Sequence, residues 1–473
     1  MNAPQNDKLS FAQLPLSPAM QANLAQLGYT QMTPIQAASL PLALAGQDVI
    51  AQAQTGSGKT AAFALSLLHR LDAADLRVQT LVLCPTRELA EQVTQEIRRL
   101  ARAADNIKIL TLCGGSPMKP QMDSLGFGCH IAVGTPGRVM DHLERGSLSL
   151  GKLNTLVLDE ADRMLDMGFI DDIKTIAKQA PKTRQTLLFS ATYPEAILEL
   201  SRQFMREPKE VKLGATDVTR APAQIRQLAY EVAESERLHA VSLLLNHFRP
   251  ASTIAFCNTK AQCRDLVDVL QGQGFVAMAL HGDLEQRDRD QVLIQFANKS
   301  CSVLVATDVA ARGLDIAQLE CVINVDTTPD AEVHVHRIGR TGRAGAEGLA
   351  LTLASLDEMG RIGRIEQMLG KESNWQSLDT LTPTPGPVMQ PPMETLQILG
   401  GRKDKIRPGD IVGALTGEAG YAFEQIGKIN VTEFHSYVAV ERSIAREAVV
   451  RLSNGKLKGR KVKVRRMADL AEL

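Results

Sequence analysis

Short apolar runs rich in β-branched residues alternate, in two successive series, with longer stretches of helical character, and the alternation fills most of the 473 residues. That rhythm builds βαβ units around parallel sheets buried on both faces. Strand candidates in the first series are Asp48–Ala53, Thr80–Cys84, His130–Gly134, Thr155–Leu158 and Thr186–Phe189. Those in the second are Thr253–Cys257, Val276–Leu280, Ser302–Ala306, Cys321–Val325 and Leu349–Leu353. Many end in Gly, Thr, Ser, Asp or Pro, and open α/β sheets bind ligands at the carboxyl ends of their strands. One such ending is ordinary turn formation. Polar endings on most of the strands predict a site.

Two breaks divide the chain. The stretch Leu213–Pro222 is small and polar, and a fresh βα series follows it. Thr382–Pro392 holds five prolines in eleven residues, too stiff and too poor in N–H donors for a helix or an inner strand. Three modules follow: residues 1–214, 223–372 and 394–473, with a Pro-rich linker at 373–393 acting as a tether of about twenty residues. Lysine plus arginine (53) equals aspartate plus glutamate (53), which argues against a uniformly basic coat. The balance hides an asymmetry, because residues 394–473 hold 15 Lys+Arg against 10 Asp+Glu and the remainder 38 against 43. A basic tail domain therefore follows an acidic body.

Composition excludes several classes. Seven cysteines form no CxxC pair, and their odd number suits a reducing cytosol rather than a disulfide framework or zinc ribbon. No apolar run reaches the roughly 18 residues of a membrane span. The first twenty residues lack the charged-then-apolar order of a signal peptide, so a cytoplasmic location is expected. His334 and His336 have HxH spacing without a neighbouring Cys, and no zinc site is expected there; Met164 and Met167 are expected in the core.

The strongest local signal is Ala53-Gln54-Thr55-Gly56-Ser57-Gly58-Lys59-Thr60, directly after an apolar strand and opening a helix. Small residues let backbone N–H groups curl around phosphate oxygens, and the helix N-terminus adds a favourable dipole. Lys59 would reach the β- and γ-phosphates of a nucleotide, and the Thr60 hydroxyl would take a Mg²⁺ position. Ala53 stands where glycine is usual. One hundred residues past Lys59, Thr155–Leu158 runs into Asp159-Glu160-Ala161-Asp162. Asp159 suits a Mg²⁺-bridging role, and Glu160 is placed to orient or deprotonate a water.

In this order, Gly-Ser-Gly-Lys-Thr and Asp-Glu-Ala-Asp resemble the DEAD-box RNA helicases, and further segments extend the resemblance over residues 10–370. Phe11, Gly28-Tyr29 and Thr33-Pro34-Ile35-Gln36 are similar to the family's Q motif, which implies that Gln36 reads adenine with the aromatics and Thr33 nearby. Met32 stands where that motif usually has proline. Pro85-Thr86-Arg87, Gly114-Gly115 and Thr135-Pro136-Gly137-Arg138 resemble the segments that hold the RNA backbone. Ser190-Ala191-Thr192 resembles the segment that couples nucleotide state to strand separation. In the second half, Thr253–Asn258 with Gln286 and Arg289 look like the fourth motif group. Ala306–Asp315 looks like the fifth, implying Thr307 on RNA and Gly313 and Asp315 on ATP. His336–Arg343 looks like the sixth, implying His336 in coupling and Arg340 and Arg343 as arginine fingers on the γ-phosphoryl group. The resemblance implies two tandem RecA-like parallel-sheet domains, with ATP and Mg²⁺ as cofactors and RNA as partner. Because fingers and P-loop lie in different modules, hydrolysis is expected to require the two modules to close.

The tail is expected to place strands at Thr395–Leu399, Ile426–Asn430, Tyr437–Val440 and Val462–Val464 around a helix at Ile444–Leu452, a small α+β module similar to an RNA-recognition (RRM-like) fold. Its presumed third strand, Glu433–Val440, lacks most of the aromatic and glycine pattern used for base stacking. Residues 456–466 carry seven cations in eleven positions, and Lys458, Arg460, Lys461, Lys463 and Arg465 are expected on phosphates. A DEAD-box core with this tail resembles the DbpA subfamily. That implies anchoring to a hairpin of large-subunit ribosomal RNA, with rearrangement of nearby short duplexes in precursor particles during ribosome assembly and no required protein partner. The competing readings are an ATP-gated RNA clamp or general RNA chaperone and a DNA translocase of similar two-lobed fold.

Overall fold

The computed structural model of the chain describes residues 10–52, 57–212, 225–311, 319–342 and 347–468. The expected site residues Ala53, Gln54, Thr55, Gly56, Gly313, Asp315 and Arg343 lie outside them.

The first sheet contains β1 (Val49–Gln52), β2 (Thr80–Leu83), β3 (Ile109–Leu112), β4 (Ile131–Gly134), β5 (Thr155–Asp159), β6 (Gln185–Ser190) and β7 (Lys209–Lys212). Its order is β3-β4-β2-β5-β6-β1-β7, all parallel. The inner strands are buried along both faces, which explains why they read as continuous apolar runs. The covering helices are amphipathic: Arg87–Leu100 buries Leu89, Ala90, Val93, Ile97 and Leu100 and exposes Glu91, Arg98 and Arg99.

The second sheet contains β8 (Ile225–Glu231), β9 (Thr253–Phe256), β10 (Ala277–Leu280), β11 (Val303–Ala306), β12 (Cys321–Asn324), β13 (Gly348–Ala354) and β14 (Trp375–Gln376). Its order, β10-β11-β9-β12-β13-β8-β14, is that of the first sheet with every strand advanced by seven. The two lobes are thus one topology used twice. β8 occupies the place of β1, yet it leads into Val232-Ala233-Glu234-Ser235-Glu236 instead of a glycine loop and a lysine. Two carboxylates there would repel phosphate, so the second lobe keeps the fold without the cradle.

The third sheet, β16-β17-β15-β18, is antiparallel and is built from β15 (Met393–Ile398), β16 (Ile426–Val431), β17 (Ser436–Glu441) and β18 (Val464–Arg466). Leu396, Ile398, Val438 and Val440 face a core completed by Ile411, Leu415, Ala445, Ala448 and Leu452 from the helices. All seven cysteines are buried, Met164 is fully buried and Met167 half-buried.

The tether expected at 373–393 is instead a strap along the second lobe. Trp375–Gln376 adds an edge strand to β8, and Leu378, Leu381 and Val388 pack on the lobe's core. Between them, Thr384 N–H donates to Asn246 O at 3.2 Å, Arg249 Nη2 to Pro387 O at 3.0 Å and Gln390 Nε2 to Gly274 O at 2.9 Å. Prolines lack donors but keep carbonyls, and apolar residues spaced among them supply the grip.

The tail domain is also docked. Thr395 and Gln397, on the β15 face away from the helices, are 1% and 0% exposed. Asn298 Nδ2 of the second lobe donates to Thr395 Oγ1 at 3.2 Å, and Ser300 Oγ lies 2.7 Å from the same hydroxyl. Met393 N–H donates to Lys299 O at 3.3 Å. The Thr395 end of the sheet face on which an RRM-like fold stacks bases is therefore covered by the turn at 298–300.

Candidate functional site

Sheet order alone sorts the first-lobe candidates. β5, β6 and β1 are neighbours, and their carboxyl ends carry Asp159-Glu160, Ser190–Thr192 and the glycine loop. β3, β4 and β2 are neighbours on the other side, and they end in Gly114-Gly115, Thr135–Arg138 and Pro85–Arg87.

On the nucleotide side, Gly58 adopts φ 89°, the left-handed region, as the cap of helix Lys59–His69. A Cβ there would sit 2.6 Å from Gln36 Nε2 and 3.1 Å from Thr33 Oγ1, so glycine is required twice over. Both neighbours grip the loop backbone: Thr33 Oγ1 donates to Ser57 O at 2.7 Å, and Gln36 Nε2 to Gly58 O at 2.9 Å. Gln36 Oε1 accepts from Thr33 N–H at 2.8 Å, so both ends of its amide brace the loop. Phe11 meets Tyr29 edge-on with ring centroids 5.8 Å apart, and the Tyr29 hydroxyl donates to Glu96.

Lys59 is buried between two carboxylates, with Nζ 3.2 Å from Asp159 Oδ1 and 3.4 Å from Glu160 Oε1. Burial alone would lower the lysine, but the two carboxylates outweigh it and hold the ammonium above its usual range. Burial pushes the Asp159 carboxyl up, Lys59 opposes that and Glu160 adds to it. Apart from the ion pair with Lys59, neither Asp159 oxygen has a hydrogen-bond partner among the described residues.

Ser190 and Thr192 are tied to the acidic segment through Asp162, a residue that the sequence reading left without a role. Asp162 Oδ2 accepts from Thr192 N–H at 3.1 Å and from Thr192 Oγ1 at 3.3 Å, and Asp162 N–H donates to Ser190 Oγ at 3.1 Å. Gln52 Nε2, at the end of β1, donates to Ala191 O at 3.1 Å. Nucleotide-loop strand, acidic segment and Ser-Ala-Thr segment therefore form one bonded unit.

On the other side, Thr86 caps helix Arg87–Leu100 by accepting from Leu89 N–H at 3.3 Å, and Thr135-Pro136 opens helix Pro136–Glu144. Arg138 Nη1 donates to Ser116 O at 3.0 Å, fixing the loop after Gly114-Gly115. Two helix N-termini beside cationic side chains are suited to phosphodiesters.

In the second lobe, Thr307 precedes the short helix Asp308–Ala311, and Arg289 Nη2 donates to Ala310 O at 2.6 Å. Helix Ala331–Ile338 carries His336 and ends just before the buried Arg340. Its Arg337, which the sequence reading passed over, grips Asp308 through two bonds of 2.7 Å and stacks 5.1 Å over Phe256. A charged residue on the buried face of a helix was the signal for it.

In the tail, Lys458, Arg460, Lys461 and Lys463 are exposed, while Arg465 is half-buried with Nε donating to Gln397 Oε1 at 2.7 Å. Arg465 is thus committed in part to the polar layer beside the docking face. Three loops lace together around these lysines. Leu399 N–H donates to Lys463 O at 2.9 Å, Arg402 N–H to Thr432 O at 2.9 Å and Lys458 Nζ to Lys405 O at 2.6 Å. Gly401 permits that approach, since a Cβ there would lie 2.6 Å from Thr432 O and Glu433 O. The rim adds residues absent from the sequence-based set: Arg402, Lys403, Lys405 and Phe434, which is 55% exposed with Lys403 Nζ 4.2 Å from its ring centroid.

Comparison with known proteins agrees along the chain. Residues 33–200 match the DEAD/DEAH box helicase family, 236–345 the helicase conserved C-terminal domain and 395–466 the DbpA RNA binding domain. The chain is 53% identical over 450 residues to the ATP-dependent RNA helicase DbpA of Escherichia coli, covering 95% of this chain and 97% of that protein. It is 45% identical over 363 residues to the DEAD-box ATP-dependent RNA helicase CshA of Streptococcus pneumoniae, covering 77% and 69%. Among solved structures it resembles S. cerevisiae Dbp5 bound to RNA and ADP BeF3, with TM-score 0.72 and 31% identity over 78% of this chain and 96% of that one. With its two RecA-like lobes, its nucleotide loop braced against an Asp-Glu-Ala-Asp segment and its RNA-binding tail, the chain belongs to the DEAD-box ATP-dependent RNA helicases of the DbpA type.

Proposed function

We propose that this ATP-dependent RNA helicase works in the cytoplasm on large-subunit ribosomal RNA during ribosome assembly, gripping a hairpin with its tail and destabilising short duplexes beside it. The observation that carries the anchoring reading is the rim of three tail loops, where an exposed aromatic stands among five exposed lysines and two arginines. Bases stack on aromatic faces and phosphates pair with cations, so such a rim suits a looped-out nucleotide and its flanking backbone. Contact of the second lobe with Thr395 on the sheet face supports reading this rim as the tail's RNA surface.

In the chemistry proposed for the lobes, the glycine loop and Lys59 receive the phosphates and Gln36 and Thr33 brace the loop. Asp159 and Thr60 would hold Mg²⁺, for which a buried carboxylate paired, among the described residues, only with Lys59 is a fitting donor. Bound there, the ion would neutralise charge on the β- and γ-phosphates. Glu160 orients and deprotonates the attacking water, while Arg340 and Arg343 stabilise charge on the transferring group, so turnover needs both lobes. Asp162, through Ser190 and Thr192, passes the state of the acidic segment to the RNA-binding side.

The test is RNA-stimulated ATPase activity with Mg²⁺ and equal masses of ribosomal RNA, unrelated RNA and DNA. Stimulation is expected to be strongest with ribosomal RNA. Replacing both Phe434 and Lys403 by alanine is expected to raise the ribosomal RNA concentration needed for half-stimulation about tenfold or more, from one lost stack and one lost phosphate contact. The response to unrelated RNA should hold. Equal loss on every RNA would reduce the tail to a generic basic anchor.

A further inference from the structure

We propose that Arg163 is a positioning residue for the Glu160 carboxylate, an inference that rests on reading Glu160 as the group that activates water. Glu160 lies in the left-handed region, φ 55° and ψ 53°, where a long side chain is held only if its surroundings fix it. Its two carboxylate oxygens are shared between two cations. Oε1 is 3.4 Å from Lys59 Nζ, and Oε2 accepts from Arg163 Nη1 at 2.8 Å. The guanidinium side chain is 9% exposed and the glutamate side chain 3%, so water does little to screen the pair.

The two cations differ in what ATP does to them. Lys59 is the phosphate ligand of the proposed chemistry, so nucleotide draws it away from Glu160. Arg163 has no such duty. It sits on the short helix Ala161–Asp166 that starts at Glu160, and its own N–H donates to Glu160 O at 3.1 Å and to Asp162 Oδ1 at 3.1 Å. The arginine is thus built into the same turn as the glutamate it holds. When the phosphates take Lys59, Arg163 keeps one carboxylate oxygen fixed and so orients the group that meets the water.

The full-length chain with Arg163→Met, assayed with Mg·ATP and saturating ribosomal RNA, is expected to lose about tenfold in kcat, part of the 10²–10⁴ that a positioned base contributes. Binding of a fluorescent ATP analogue should change less than about twofold, and Arg163→Lys should recover most of the loss, because it restores the charge. The decisive comparison is in the Glu160→Gln background. There Arg163→Met is expected to change single-turnover hydrolysis by less than about twofold, since no carboxylate remains to be positioned. A tenfold loss in both backgrounds, or unchanged kcat in the single variant, overturns the proposal. Should Arg163→Met fail to fold, Arg163→Lys carries the same comparison: about a threefold loss alone and none beside Glu160→Gln. Normal turnover by Glu160→Gln alone would instead remove the reading of Glu160 and leave the ion pair as observed.

Discussion

Replacing Lys59 by alanine is expected to abolish ATP turnover and, in the absence of nucleotide, to destabilise the first lobe as well. The first effect follows from losing the cation that meets the β- and γ-phosphates. The second follows from the site geometry, because Asp159 and Glu160 are 0% and 2% exposed and share Lys59 as counter-ion. Removing one partner of a buried charge cluster costs about 3–5 kcal/mol, since the remaining charge is left uncompensated. Arg163 still holds Glu160, so the loss falls mainly on Asp159. Thermal unfolding should therefore show a lower Tm for Lys59→Ala, together with steady-state turnover at background. The pH dependence has a definite sign. Asp159 lies above its ordinary carboxyl range already, and losing Lys59 lifts it further. A carboxyl raised in the folded state favours folding when protonated and loses that advantage as pH rises through its folded value. The drop in Tm should thus be largest at neutral pH and above and should shrink on acidification. An unchanged Tm and normal turnover would remove Lys59 from the site.

Glu160→Gln is expected to behave differently, binding ATP and RNA while hydrolysing about 10²–10⁴-fold more slowly. Glutamine keeps the shape and one acceptor oxygen, enough for one of the two cations, Arg163 or Lys59, and Lys59 still has Asp159 as its counter-ion. What it lacks is the capacity to take a proton from water. Equilibrium RNA binding with a non-hydrolysable ATP analogue, beside single-turnover hydrolysis, separates the two steps. Loss of binding in parallel with turnover would make Glu160 a structural cap.

Much of this site was legible before any coordinates. The glycine loop, the acidic segment and Ser190–Thr192 stand at strand ends that the apolar periodicity also marked, so two independent signals agreed. Strands β3, β7, β8 and β14 were not among the candidates, and two of them are instructive. β7 reads Lys-Glu-Val-Lys because it is an edge, where exposed charge discourages further pairing. β14 is two residues in a stretch that proline dominates. Arg163 and Asp162 looked like ordinary helix-surface charges, and only the fold shows both buried, Arg163 against Glu160 of its own turn and Asp162 against Thr192 of another segment. The rim was half visible: the lysine run at 456–466 announced itself, whereas Phe434 and Lys403 reach it from loops distant in sequence. Docking of the tail was invisible for the same reason, since Thr395, Asn298 and Ser300 are common polar residues whose pairing no local pattern encodes.

The strap changes the geometry that an RNA must satisfy. A free coil of twenty residues would let its ends wander over about 25 Å, and an anchored hairpin would then serve duplexes at many spacings with a gradual fall-off. A tail clamped at Thr395 and laced down from Asn374 to Met393 makes a caliper instead. On the proposed anchoring, base pairs inserted between a tail-bound hairpin and the duplex beside it would rotate that duplex as well as move it away from the second lobe. Unwinding should then fall and partly recover with the helical phase of the insertion, as a rigid gauge requires.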